Sequence, residues 1–250
     1  MRVYSTLIKR ELGSYFGSFS GYILVATVLF LTGLGFTNLL MALSGESTDI
    51  PLTALFYQTY YFWIILLFLA PGITMRSFAH ERASGTFECL LTLPITEWQL
   101  VISKFLGALL LFGICWIPLI GCLVVVNHFA GESSGLSAGA LLGTFSGILL
   151  IGSLFTSMGC FASALTKNQS IAAMLSFGMG LGVFVVGYLI YTGQIDFPEF
   201  NRYLGQLAMI NHMEEFVRGT IDLRYIVFYL TLTSLFLVTT THVVESKRWR

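Results

Sequence analysis

Few side chains in this chain are arranged for covalent chemistry. Gly135-Leu136-Ser137-Ala138-Gly139 matches the Gly-x-Ser-x-Gly pattern of serine hydrolases, and His242 offers a base. A working Ser–His pair must sit about 3 Å apart. Here Ser137 falls at one end of an apolar run and His242 at the opposite end of another. Most of a ~30 Å hydrocarbon layer separates them. Cys89, Cys115, Cys122 and Cys160 lack metal-ligand spacing and read as small apolar packing residues. His80, His128 and His212 are scattered over different loops, so no metal site is expected. A phosphate loop needs Gly-x-x-x-x-Gly-Lys-Ser/Thr, whose amides and lysine hold the phosphates. The four lysines follow Ile8, Ser103, Thr166 and Ser246, never a glycine. Asn168-Gln169-Ser170 matches a glycosylation sequon, but it stands beside Lys167 on the side assigned below to the cytoplasm and reads as chance. No catalytic, cofactor or metal site is therefore expected within the chain.

The remaining chemistry is non-covalent, and it concentrates between Arg76 and Lys104. Arg76, Arg82 and Lys104 face Glu81, Glu88 and Glu97 here, between long apolar runs. Ser84 is expected to cap a short helix from Gly85 to Leu93, which Pro94 stops. On it Phe87, Leu90 and Leu91 share one face, while Glu88 and Thr92 share another. Thr96 to Gln99 has the spacing of a capping box that opens the next long helix. A connector that only reversed the chain would take about 2–8 residues. The stretch therefore reads as a docking surface for a soluble partner. Phe87, Leu90 and Leu91 would be its anchors, and Glu81, Arg82 and Glu88 would fix the register.

The elements that must hold this surface are membrane spans. The 250 residues are 56% hydrophobic and only 10% charged, against about 25% charged in soluble chains. That charge cannot cover a soluble surface. Zero net charge gives no electrostatic footprint for nucleic acid. Six stretches reach the roughly 20 apolar residues that cross a bilayer. They are Gly21 to Leu43, Tyr57 to Thr74, Leu100 to Val126, Ala138 to Leu165, Ser170 to Thr192 and Tyr225 to Val244. The first is too long for a signal-peptide core and lacks a small-residue cleavage site. The fold class expected is an all-α integral membrane protein, one domain over 1–250.

Residues 1–20 precede the spans and read as an interfacial amphipathic helix. Tyr4, Leu7, Ile8, Leu12, Tyr15, Phe16 and Phe19 fall on one side, and Arg2, Thr6, Lys9 and Arg10 on the other. Glu11 projects from the apolar side. It either snorkels at the edge or meets a basic group, with Arg76 and Arg82 as candidates. Ten of the 13 basic residues lie on one side of a six-span chain, including those near both termini. By the positive-inside rule that side is cytoplasmic, and so is the loop at 76–99. No buried Asp, Glu, Lys or Arg of the kind that marks an ion relay is expected in the spans. Pro118 is expected to kink the third span. Gly143-x-x-x-Gly147 and Gly178, Gly180, Gly182 and Gly187 offer small-residue faces for helix packing. The external loop at 193–224 should carry a short amphipathic helix on the outer surface, with Met209, Met213, Phe216 and Val217 on its apolar side.

The string Glu81-x-x-x-Gly85-Thr86-x-Glu88-x-Leu90-Leu91-Thr92-x-Pro94-Ile95, followed by Lys104, resembles the cytoplasmic signature of type-2 ABC-transporter permeases. Within them it is most similar to the gliding-motility-associated subfamily. Lys9-Arg10-Glu11-Leu12 with Tyr15-Phe16 resembles the family's amphipathic start, although Phe19 stands where many members have proline. Glu215-Phe216-x-x-Gly219-x-Ile221-Asp222 resembles its outer loop, and Glu245 to Trp249 its C-terminal end. The resemblance implies a permease subunit of an ATP-driven exporter in a bacterial inner membrane. Two permease chains, identical or related, would form the path through the lipid. Cytoplasmic ATPase subunits carrying ATP and Mg would dock on the first helix and on the loop helix. Substrates across the family run from lipids and polysaccharides to peptides and drugs. A membrane scaffold without transport is the alternative reading, and a rhomboid-like intramembrane protease a weaker one.

Overall fold

The computed structural model describes residues 2–43, 52–87, 95–130, 138–193, 207–220 and 222–248. Ten helices lie in these segments: α1 (Arg2–Phe16), α2 (Phe19–Leu43), α3 (Leu52–Gln58), α4 (Tyr60–Thr74), α5 (Ala79–Ala83), α6 (Glu97–Ala130), α7 (Ala138–Leu165), α8 (Gln169–Tyr191), α9 (Met209–Val217) and α10 (Leu223–Arg248). Among the described residues there is no strand. Lipid offers no hydrogen bonds, so apolar runs must satisfy their own backbone as helices. Six segments are long and apolar enough to cross a membrane: α2, Tyr60–Ala83, α6, α7, α8 and α10.

Two of these segments form the centre. In their most apolar windows Tyr60–Ala83 is 72% buried and α7 is 78% buried, against 17–33% for the other four. α4 packs on α2, α6, α7 and α8, while α7 also packs on α10. Aromatic rings fill much of the space between them. Phe62 lies 5.2 Å from Trp116, and Trp63 lies 5.0 Å from Phe184.

Local signals set several boundaries. Thr96 and Gln99 form the reciprocal capping box: Thr96 N donates to Gln99 Oε1 at 3.2 Å, and Gln99 N donates to Thr96 Oγ1 at 3.3 Å. Asn168 is the N-cap of α8, accepting from Ser170 N at 2.9 Å, which gives the sequon asparagine a structural role. α6 runs unbroken through Pro118. The first helix ends earlier than its apolar pattern suggested, at Phe16. Gly17 and Ser18 turn the chain, and Phe19 opens α2 with its ring 83% exposed. Helix α3, at seven residues, is too short to show a period in the sequence.

We call the end holding α1, α5 and the start of α6 the basic end. At the far end lies α9, which is embedded and not on a surface. Its Met209, His212, Met213, Phe216 and Val217 are all buried, against α7 and α8. A Cβ on Gly143 would overlap the Phe216 carbonyl, and one on Gly147 would come 2.9 Å from the Met213 sulfur. The Gly143-x-x-x-Gly147 face is thus the seat of α9.

Candidate functional site

At the basic end α1 packs on α6 and α2. Leu7, Glu11 and Tyr15, spaced four apart, form its buried stripe, while Lys9 and Arg10 are exposed. The approach to α6 is close. A Cβ on Gly107 would lie 2.9 Å from Glu11 Cβ, so only glycine leaves room. One turn earlier on α6, Lys104 is 1% exposed and donates from Nζ to Glu11 Oε1 at 2.9 Å. The same Nζ stands 2.9 Å from Glu81 Oε2 on α5, as an ion pair outside hydrogen-bond alignment. Arg10 Nη2 closes the ring, 3.0 Å from Glu81 Oε1 and 3.4 Å from Glu11 Oε1. The partner of Glu11 is therefore Lys104, not Arg76 or Arg82.

This junction joins α1, α5 and α6 with two cations and two carboxylates. Each charge left alone in such a place would cost several kcal/mol, roughly. Together they neutralise one another. The Phe78 ring lies 5.3 Å from Lys104 Nζ and screens it further from water. Tyr15 pins α1 from a second direction, donating its hydroxyl to Ile73 O at 3.1 Å. Burial pushes that phenol's pKa well up, so it stays a neutral donor.

The two arginines have other work. Arg76 Nη1 donates to Ser18 Oγ at 3.0 Å and to Ser20 Oγ, tying the end of α4 to the start of α2. Arg82 donates to Ala164 O at 2.7 Å, where the last carbonyls of α7 lack helical partners. Lys247 reaches the same Ala164 O at 2.9 Å. Two cations thus cap the C-terminus of α7, where the helix dipole favours them. Arg82 was expected to face a partner, and its guanidinium is instead held within the chain.

Ser163 on α7 secures the other end of α5. Its hydroxyl accepts from both Phe78 N and Ala79 N at 3.0 Å, two donors at the start of the short helix. Ser84 does not begin the loop helix. It ends α5 in the αR conformation and bonds Glu81 O and Thr86 Oγ1. Gly85 then turns the chain with φ +73°, and helical residues resume only at Thr86 and Phe87. Phe87 is 7% exposed, in a cluster with Phe78, Leu100, Val101, Phe105 and Val244. Its ring is occupied by its own chain and is not a free anchor in this conformation. Glu88, Leu90 and Leu91 lie outside the described residues.

Around the junction is a cavity of about 550 Å³. The described residues that line it are Arg10, Glu11, Ser14, Tyr15, Arg76, Ser77, His80, Glu81, Thr86 and Lys104, each with a polar group. Sequence reasoning named Arg10 and Glu11 on the first helix and Glu81 and Thr86 on the loop, as separate groups, but missed Lys104 as the partner of Glu11, and missed Gly107 and Ser163. A signal existed for the first. A carboxylate on an apolar helix face and a lysine between Ser103 and Phe105 at the start of a span are each costly alone, so each requires an opposite charge.

The hydrolase reading finds no support in the position of His242. Ser137 lies outside the described residues, but a Cβ on Gly219 would meet Gly139 at 3.3 Å, at the far end. His242 stands on α10 roughly 29 Å beyond Leu223 at ~1.5 Å per residue. It is exposed, with its Nδ1 3.6 Å from Glu245 Oε2.

Comparison with known proteins gives one family. The family described as ABC-2 family transporter protein matches residues 20–247. No curated protein matches the chain in sequence.

Proposed function

The chain belongs to the ABC-2 transporter family, and we propose that its basic end is where separate ATPase subunits dock and drive it. It is a multi-pass membrane protein and the permease subunit of an ABC transporter. In the proposed arrangement the basic end faces the cytoplasm of a bacterial cell, with both termini there. Two permease chains, identical or related, form the path. ATP and Mg are held by the ATPases, and substrate is exported. In this reading the resemblance of the Glu81–Ile95 string to gliding-associated permeases makes cell-surface material the proposed cargo class.

The observation that carries this reading is the buried junction at Lys104. An ATPase pushing on the 76–99 segment would move Glu81. Because Glu81 and Glu11 share Lys104, that motion is delivered to α1 and α6 together. α5 also continues directly from α4, one of the two central helices, so the same push reaches the core. Glu81, Gly85, Thr86, Glu88, Leu90 and Leu91 belong to the proposed contact or its support. Lys9 and Arg10 offer an exposed basic face on α1.

The test uses the ATPase encoded in the neighbouring reading frame, co-expressed with this chain and reconstituted in liposomes. Wild type should co-purify with it and change its hydrolysis rate severalfold. Lys104→Met, if it folds, should retain the ATPase but lose that change in rate. Normal linkage in a folded Lys104→Met variant would sink the junction's role. ATP hydrolysis by the purified chain alone would overturn the division of labour.

A further inference from the structure

We propose that the polar cavity at the basic end binds the phosphate of an anionic phospholipid, with Arg76 as its principal ligand. Charge balance leads there. Arg10, Arg76 and Lys104 line the cavity as cations, and Glu11 and Glu81 as carboxylates. Both carboxylates are engaged by Lys104 and Arg10. Arg76 has no carboxylate within ion-pair distance among the described residues; its recorded partners are the Ser18 and Ser20 hydroxyls. A guanidinium presents five donors in a planar fork that matches phosphate oxygens. Two hydroxyl contacts through one nitrogen leave most of that fork available.

The other walls offer donors too. The Gln169 side-chain amide nitrogen lies 2.9 Å from His80 Nδ1. This bond holds the His80 imidazole in place within the lining. Ser14, Ser77 and Thr86 add hydroxyls to the lining. The volume, about 550 Å³, falls in the range of small-molecule sites and suits a phosphate with a small polar headgroup.

Position selects the lipid over other phosphate sources. Ser18 and Ser20 flank the first residue of a membrane-spanning helix, and Arg76 bonds both of them from the turn after α4. That is headgroup depth, where basic side chains meet anionic lipid phosphates. A ligand here would touch α1, the turn after α4, α5 and α6 at once. It would therefore set how firmly the junction holds its elements, whether or not an ATPase is present.

The experiment uses the full chain purified without an ATPase, so its outcome is independent of the docking proposal. The protein is delipidated, then titrated with phosphatidylglycerol, phosphatidylcholine or sn-glycerol 3-phosphate, and retained ligand is counted by native mass spectrometry. Wild type should hold one phosphatidylglycerol per chain in preference to phosphatidylcholine. Arg76→Gln should weaken that binding by about tenfold or more, as loss of a charge-assisted contact would. Arg76→Lys should fall between them. His80→Ala, which leaves the Ser18 and Ser20 contacts intact, should weaken it to a lesser degree and serves as the second probe if Arg76→Gln does not fold. Saturable binding of glycerol phosphate as tight as the lipid's would keep the phosphate site but assign it to a soluble ligand. Equal retention by wild type, Arg76→Gln and His80→Ala would overturn the proposal.

Discussion

Lys104 stands between two carboxylates, and its removal is the sharpest test of the junction. Lys104→Met would leave Glu11 and Glu81 with Arg10 alone, whose side chain is 45% exposed and gives little. Breaking a buried pair from one side costs about 3–5 kcal/mol. Adding Glu11→Gln removes one orphaned charge and should restore part of that loss. Thermal unfolding of wild type, both single variants and the double in one detergent gives the coupling, expected at about 1–3 kcal/mol. Strict additivity would mean that the pair seen at 2.9 Å contributes nothing. At the far end, His212 makes a pH prediction. Burial among Tyr225, Phe228 and Tyr229 holds its pKa down at about 4, from 6.5 in the unfolded chain. The unfolded state therefore binds a proton first. Stability contributed by the neutral ring is complete above pH 6.5 and is lost as pH falls towards 4. The loss at the acid limit is about 3 kcal/mol. His212→Gln should flatten the unfolding temperature between pH 7 and pH 5 relative to wild type. Among the described residues Tyr225 and Tyr229 contact its ring, and Glu215 accepts from the Tyr225 hydroxyl. An unchanged slope in the variant would assign the pH dependence elsewhere.

The elements show what patterning can and cannot disclose. The six long helices were legible because 18 or more apolar residues leave the backbone no alternative in lipid. The Thr96–Gln99 cap was legible because its chemistry is local. The Glu11–Lys104 contact spans 93 residues and depends on how α1 lies across α6, which no period encodes. Phe87 misled for a related reason. Its spacing announced an apolar face but not that the chain's own Phe78, Leu100 and Phe105 cover it. Phe87→Ala should therefore destabilise the chain by itself, by about 3–5 kcal/mol, before any partner is added. The far-end helix is similar. Its amphipathic period was readable, while its burial rests on the seat at Gly143. In a cysteine-free background, Met213→Cys should react slowly with a soluble maleimide, since Met213 is fully buried. Adding Gly143→Leu should displace α9 and raise that rate at least about tenfold, because the new side chain would occupy the place of the Phe216 carbonyl. Equal rates would show that α9 does not depend on this seat.

For the whole molecule, orientation decides which end an ATPase can reach. The structure gathers α1, α5, Lys104 and Lys247 at one end, since Arg82 and Lys247 meet on the same Ala164 carbonyl and Glu11 meets Lys104. The charge distribution then makes a direct claim. With six spans, the sequence assigns ten of the 13 basic residues to that side, while the loops holding Glu46 and Asp49, and Glu132, contain no Lys or Arg. Retention of basic segments in the cytoplasm sets the topology of multi-span chains. Single cysteines are placed at Ser47, Ser133 and Ser246 in a chain lacking Cys89, Cys115, Cys122 and Cys160. A membrane-impermeant maleimide applied to intact cells should label the first two and spare the third. Permeabilisation should then expose Ser246→Cys. The reverse pattern would turn the basic end outward, beyond the reach of any cytoplasmic ATPase. The junction would still hold the helices together, but the proposed drive through Glu81 would have no source.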